Sequence, residues 1–121
     1  MDDKERGRYV RALLPVMRAA LGQVESRDMT DATGLYLDGV LFALVSGGRL
    51  HFRTDPINRE DYDRWEATSG RESEFFSGGL PAGGQKFRVV PPFVLDDGDT
   101  LAQWGRAAWE AAKRARVPAH R

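Results

Sequence analysis

Cysteine is missing from this 121-residue chain, so disulfides, thiolate metal ligands and cysteine nucleophiles are all excluded. Histidine occurs only at His51 and His120. Two distant imidazoles without thiolates fall short of the three or four convergent ligands a metal site needs. Asp96, Asp97 and Asp99 lie close together but lack the alternating oxygen-ligand spacing of a calcium loop, and helix capping accounts for them better. Net charge is also absent: 18 basic residues balance 18 acidic ones, and each half of the chain is balanced too. Without a long-range field the chain has little to draw it onto nucleic acid or an anionic membrane. Lysine is scarce, at three against fifteen arginines, which reads as a compositional habit rather than a site. No apolar run exceeds Val40 to Val45, far too short to span a bilayer. The first residues, Met1-Asp2-Asp3-Lys4-Glu5-Arg6, are charged with no apolar stretch behind them, unlike a signal peptide. A cytoplasmic protein is expected.

What is present is an ordinary globular composition, 41% hydrophobic and 30% charged, in a length that suits one domain spanning 1–121. The organising stretch is Gly34 to Thr54, which reads as three consecutive antiparallel strands. Asp38-Gly39 is a turn pair whose residues accept the positive φ that matches strand twist, and Ser46-Gly47-Gly48 is a second turn. Val40 to Val45 is apolar on both faces and should lie centrally in the sheet. The strands beside it alternate: Leu35 and Leu37 against Tyr36, Leu50 and Phe52 against His51 and Arg53, which puts His51 on a polar face.

Helices are expected on either side. Val10, Leu13, Leu14, Met17, Leu21 and Val24 fall at the spacing of one apolar face, predicting a helix over 3–21 that Pro15 kinks or restarts near Leu14 and that stops at Gly22. Ser26 to Ala32 is weak, an extension of the first strand or a loop into it. Asn58 is the expected cap of a second helix ending at Gly70, with Ile57 and Tyr62 stapling its start. Glu74-Phe75-Phe76 is a strand candidate, followed by a glycine-rich connection over 77–84 and a strand from Gln85 to Val90 that Pro91-Pro92 ends. A last helix from Asp99, its expected cap, to about Ala115 places Leu101, Trp104, Ala108, Ala112 and Ala115 on one face, with Gly105 keeping that face thin. The expected order is α-β-β-β-α-β-β-α, a two-layer α+β fold with an antiparallel five-stranded sheet covered by helices.

The run Leu35-Tyr36-Leu37-Asp38-Gly39-Val40-Leu41-Phe42-Ala43-Leu44 resembles the core of the TfoX/Sxy N-terminal domain family. Leu50 to Asp55 with Asn58, and Phe87 through Pro91-Pro92 to Leu95-Asp96-Asp97, Leu101 and Trp104, are similar to its later strands and helix starts. The resemblance covers about 27–114. It implies an α+β domain of bacterial proteins, some of which regulate natural competence with a cyclic-AMP-responsive transcription activator, while many others are short single-domain proteins. One run departs: where the family usually carries a Met-Phe-Gly-Gly-Tyr-Gly-like sequence, this chain has Met29-Thr30-Asp31-Ala32-Thr33-Gly34. The chain also ends where a competence regulator would continue into a second domain, so full competence-regulator activity is not expected of it.

Chemistry-bearing patterns are few. Gly79, Gly84 and Lys86 imitate a phosphate loop, but Gln85 intervenes, no Ser or Thr follows the Lys, and a strand rather than a helix comes next. Glu60, Asp61, Asp63 and Glu66 alternate with Arg59 and Arg64 as helix ion pairs rather than a catalytic carboxylate pair. No serine stands in a nucleophile-elbow context. No catalysis and no cofactor are expected. Lys113, Arg114, Arg116 and Arg121 form a basic cluster that suits a helix C-terminus, and neutral net charge with no aromatic array argues against independent DNA binding. Trp109 lies off the main apolar stripe of the last helix, with Arg106 and Lys113 on the same side; it packs at the edge of the core or anchors a partner. The expectation is protein–protein contact or self-association, with Trp109, Arg106 and Lys113 as the candidate interaction surface. The alternatives are a small-molecule-sensing site between the glycine-rich loop and the sheet, and weak DNA binding through the C-terminal basic helix.

Overall fold

The computed structural model describes residues 2–69 and 86–116. Helix α1 (Asp3–Leu21) opens with a reciprocal cap: the Asp2 carboxylate accepts the Glu5 N–H at 2.8 Å and the Glu5 carboxylate accepts the Asp2 N–H at 3.5 Å. It stops where expected, at Gly22, whose φ of 106° favours glycine and whose N–H donates to the Arg18 carbonyl. The expected restart near Leu14 does not occur, and the helix continues through Pro15. Pro15 is exposed, so water can serve the carbonyl its ring leaves without a donor, while the buried Leu13 and Met17 hold the helix down on either side.

The sheet contains β1 (Val24–Asp28), β2 (Thr33–Leu37), β3 (Val40–Ser46), β4 (Arg49–Arg53) and β5 (Phe87–Val89). All neighbours are antiparallel and their order in space is their order in sequence. Asp38 at φ 52° and Gly39 at φ 74° make the tight turn between β2 and β3. Gly47 at φ 59° and Gly48 at φ 78° do the same between β3 and β4. β3 is central, and Phe42, Ala43, Leu44 and Val45 are completely buried within it. Leu35, Ala43 and Phe52 face one another across three strands, with Thr33, Val45 and Leu50 in the next row. This face joins Val10, Leu13 and Met17 of α1 and the buried stripe of the last helix in one core.

The α+β class and the antiparallel five-stranded sheet are as expected, but the strands are not all the expected ones. Val24–Asp28 forms a full strand: only its last three residues fall in the weak stretch 26–32, and Val24, expected on the apolar face of the first helix, lies beyond the stop at Gly22 and starts β1 instead. The candidate strand at 74–76, the glycine-rich connection at 77–84 and the expected helix stop at Gly70 lie outside the described residues. Among the described residues the order is α-β-β-β-β-α-β-α-α. After α2 (Arg59–Ser69) and β5, Pro91-Pro92 does more than end a strand: Pro92 is the first residue of a one-turn helix, α3 (Pro92–Leu95), a position where its missing N–H costs nothing. Helix α4 (Gly98–Arg116) is capped not by Asp99 but by Asp97, whose carboxylate accepts the Thr100 N–H at 2.9 Å and its hydroxyl at 2.7 Å. The buried stripe of α4 is Leu101, Gly105, Ala108, Ala111 and Ala112; Trp104 is half-buried and Ala115 is exposed. A Cβ on Gly105 would come within 2.7 Å of Leu21 Cδ1, so that glycine lets α1 and α4 touch. Among the described residues no helix is long and apolar enough to cross a membrane.

Candidate interaction surface

Trp109 is half-buried on α4, and its indole N–H donates to the Leu37 carbonyl at 3.0 Å, at the end of β2. Lys113 Nζ stands 3.6 Å from the centre of its ring and Arg106 Cζ 5.7 Å. Both cations are one helical turn from the tryptophan, at i+4 and i−3, which is why they reach its ring. Lys113 also meets Glu110 at 3.3 Å. The three residues singled out from sequence are thus brought together, beside the turn between β2 and β3.

The C-terminal end of α4 is tied to the start of α2. Arg114 donates twice to Asp55, from Nε at 2.6 Å and from a terminal nitrogen at 3.0 Å. The same carboxylate accepts the Ile57 and Asn58 N–H groups. Asn58 was expected to cap α2 with its side chain; instead its amide oxygen accepts the Asp55 N–H at 2.8 Å and its amide nitrogen donates to the carbonyls of Arg53 and Ala107. It is turned inward and sews three segments together. The expected Ile57 staple does not form either, since Ile57 is 68% exposed.

Arg114 holds the Asp55 carboxyl below its ordinary range, chiefly by hydrogen bonding; partial burial opposes this, and the two amides and the Arg114 charge add to it. A carboxylate depressed on folding contributes stability that is complete above the unfolded value, about 4, and is lost as pH falls through the lower folded value. Urea unfolding of Asp55→Asn should therefore show reduced stability near pH 7, with its gap from the natural sequence closing on the acid side as pH falls below about 4.

On α2 the expected surface pairs exist, Arg64 with Glu60 at 2.8 Å and with Asp61 at 3.6 Å. Asp63 and Glu66 are different: both grip Arg88 of β5, each at 2.6 Å, and Arg88 is buried. Burial pulls the Arg88 guanidinium down, but the hydrogen bonds it donates to Glu66 and Asp63, with their charges, outweigh it and leave the group raised. Beside this cluster, Asn58, Asp61, Tyr62, Gln103, Trp104 and Ala107 line a crevice of about 370 Å³ between α2 and α4. Tyr62 meets Trp104 edge to face at 4.9 Å, and Trp104 meets the exposed Phe93 at 5.5 Å. The Tyr62 hydroxyl is buried without a hydrogen-bond partner, and burial raises its pKa.

His51 is 6% exposed rather than on a wet face, a correction to the alternation expected for β4. It lies between Leu44 and Val89 in the sheet, so both neighbouring strands shield it. His120, Arg121, Gly79 and Gly84 fall outside the described residues, within which no three His, Asp or Glu side chains converge as metal ligands. Sequence reading missed the Arg88 cluster and the crevice. A charged residue in a three-residue strand carries no local sign of burial, although carboxylates at 63 and 66 share a helix face that could have been paired across space. In the departing run, Met29 and Gly34 touch: a Cβ on Gly34 would fall 2.7 Å from Met29 Cε and 2.9 Å from Leu41 Cδ1. The model of the TfoX N-terminal domain family matches residues 17–112. No curated protein matches the chain.

Proposed function

Because the chain belongs to the TfoX N-terminal domain family, we propose that it is a non-catalytic regulatory domain acting by protein–protein contact, with Trp109, Arg106 and Lys113 as the contact surface. The observation that carries this reading is the fixed tryptophan. Its indole is tied to the Leu37 carbonyl and flanked by two cations, so an anchor is already oriented before a partner arrives. Tryptophan and arginine are the residues most often found to dominate protein interfaces. The partner surface is acidic, matched to Arg106 and Lys113. Direct DNA binding by the same helix has less behind it, because Arg114 is occupied by Asp55 and the chain carries no net charge.

The test is affinity capture from the native host with Arg106→Glu/Lys113→Glu beside the natural sequence. The charge-reversed protein should keep its thermal unfolding midpoint within a few degrees and lose the captured partner by about tenfold or more, the effect expected of reversed interface charges. Equal capture by both proteins would end this reading. Trp109→Ala also removes the bond to Leu37, so it is informative only alongside the charge variant. A second reading, a small-molecule sensor, has the crevice between α2 and α4 behind it, whose size falls within the usual range for ligand sites. Reproducible thermal stabilisation by a metabolite would favour it.

A further inference from the structure

β1 is an edge strand: β2 lies on one side, and among the described residues no strand lies on the other. Glu25, Ser26, Arg27 and Asp28 are all exposed. The direction of its backbone groups can be read from the hydrogen bonds around it. The Met29 N–H donates to the Ala32 carbonyl at 2.7 Å, immediately beyond the Asp28–Thr33 pair. That makes Asp28–Thr33 a non-hydrogen-bonded pair, so the N–H and C=O of Asp28 point away from β2. By the two-residue period, those of Ser26 and Val24 do the same. Val24 agrees: its carbonyl accepts Arg18 Nε at 2.9 Å and its N–H donates to the Gly22 carbonyl at 2.9 Å, neither of them in β2. Ser26 and Asp28 therefore present their backbone groups along the outer edge.

The side chains on this edge are self-complementary. Charge on an edge strand usually discourages pairing. Here, however, Glu25 and Arg27 lie on the same face, flanking Ser26, and carry opposite signs. A two-fold axis at Ser26 in an antiparallel pair sets Glu25 opposite the partner subunit's Arg27, and Arg27 opposite the partner subunit's Glu25. The same axis makes Ser26 opposite its own copy a hydrogen-bonded pair, the register its outward N–H and C=O require. The side chains are also held in place: Arg27 lies over the Tyr36 ring at 4.6 Å, and Asp28 accepts the Thr33 hydroxyl, which in turn accepts Arg6 Nε.

We propose that β1 is a self-association edge, through which a second copy of this chain adds antiparallel across Ser26 to form one continuous ten-stranded sheet. This surface is separate from the Trp109 contact and stands or falls independently of it. The test is sedimentation velocity of the full chain from about 1 µM to 500 µM, a range that spans ordinary dimer affinities. The natural sequence should pass from monomer to dimer across the series. Glu25→Arg should weaken the dimer by about tenfold to a hundredfold, because two attractive cross-strand pairs become repulsive. Adding Arg27→Glu to that variant restores opposite charges and should restore the dimer. Ser26→Pro removes an outward N–H that bonds nothing in its own sheet, so it should abolish the dimer while leaving the far-ultraviolet spectrum of the monomer unchanged. A natural sequence that stays monomeric throughout, a double charge swap as weak as the single variant, or a dimer that survives Ser26→Pro would each overturn the proposal.

Discussion

Replacing Phe52 with alanine should lower the unfolding free energy by about 3–5 kcal/mol, the range for truncating a fully buried aromatic. Phe52 has no solvent exposure and its ring centre lies 6.0 Å from that of Phe42. Its cross-strand partner is Ala43, the smallest side chain of the row that Leu35 completes. Ala43 has no reach to spare, so the vacated volume stays as a cavity rather than being filled by collapse. A domain of this size is stable by only about 5–15 kcal/mol, so the variant should unfold at a much lower urea concentration. Phe52→Leu keeps most of the volume and should cost less than half as much. A cost below about 1 kcal/mol for the alanine variant would mean that this face of β4 is not the centre of the core.

Arg88→Ala should cost about 3 kcal/mol, the lower part of the range for breaking a buried ion pair from one side. The two carboxylates it leaves behind are unequal. Asp63 is 58% exposed in its side chain and can be rehydrated where it stands, whereas Glu66 is 12% exposed and loses the guanidinium that compensates its burial. Asp63→Asn should therefore matter little and Glu66→Ala much more, and Arg88→Ala with Glu66→Ala should cost little beyond the larger single change. Arg88→Met with Glu66→Gln should recover part of the loss, since it removes the buried charges and keeps the volume. Strict additivity of the Arg88 and Glu66 substitutions in urea unfolding would show that the two do not act as a pair.

Much of the frame was open to sequence reading because local chemistry and the final environment agree there. Val40 to Val45 is apolar on both faces and is the central strand; Asp38-Gly39 offers positive φ and makes the turn; the apolar spacing at Val10, Leu13, Met17 and Leu21 is the buried face of α1. The parts that were hidden depend on distant partners. In β1 only Val24 is buried, so the alternation that signals a strand is absent and the ladder with β2 alone defines it. The inward turn of Asn58 depends on the Ala107 carbonyl, far along the chain, and a capping rule that looks only at the next three residues cannot find it. At the candidate surface, the position of Trp109 off the apolar stripe could be read from helical spacing, but its bond to Leu37, 72 residues earlier, could not.

The strands follow one another in space as they do along the polypeptide, and this bears on how the molecule assembles. β2, β3 and β4 each meet the preceding strand across a short turn, so those closures sacrifice little chain entropy and can happen early. β5 joins β4 from far along the sequence, with Phe87 pairing to Arg53, and α4 must come back still later to cover the sheet. The slow events in reaching the native state belong to those two returns, with a meandering ribbon already waiting to receive them.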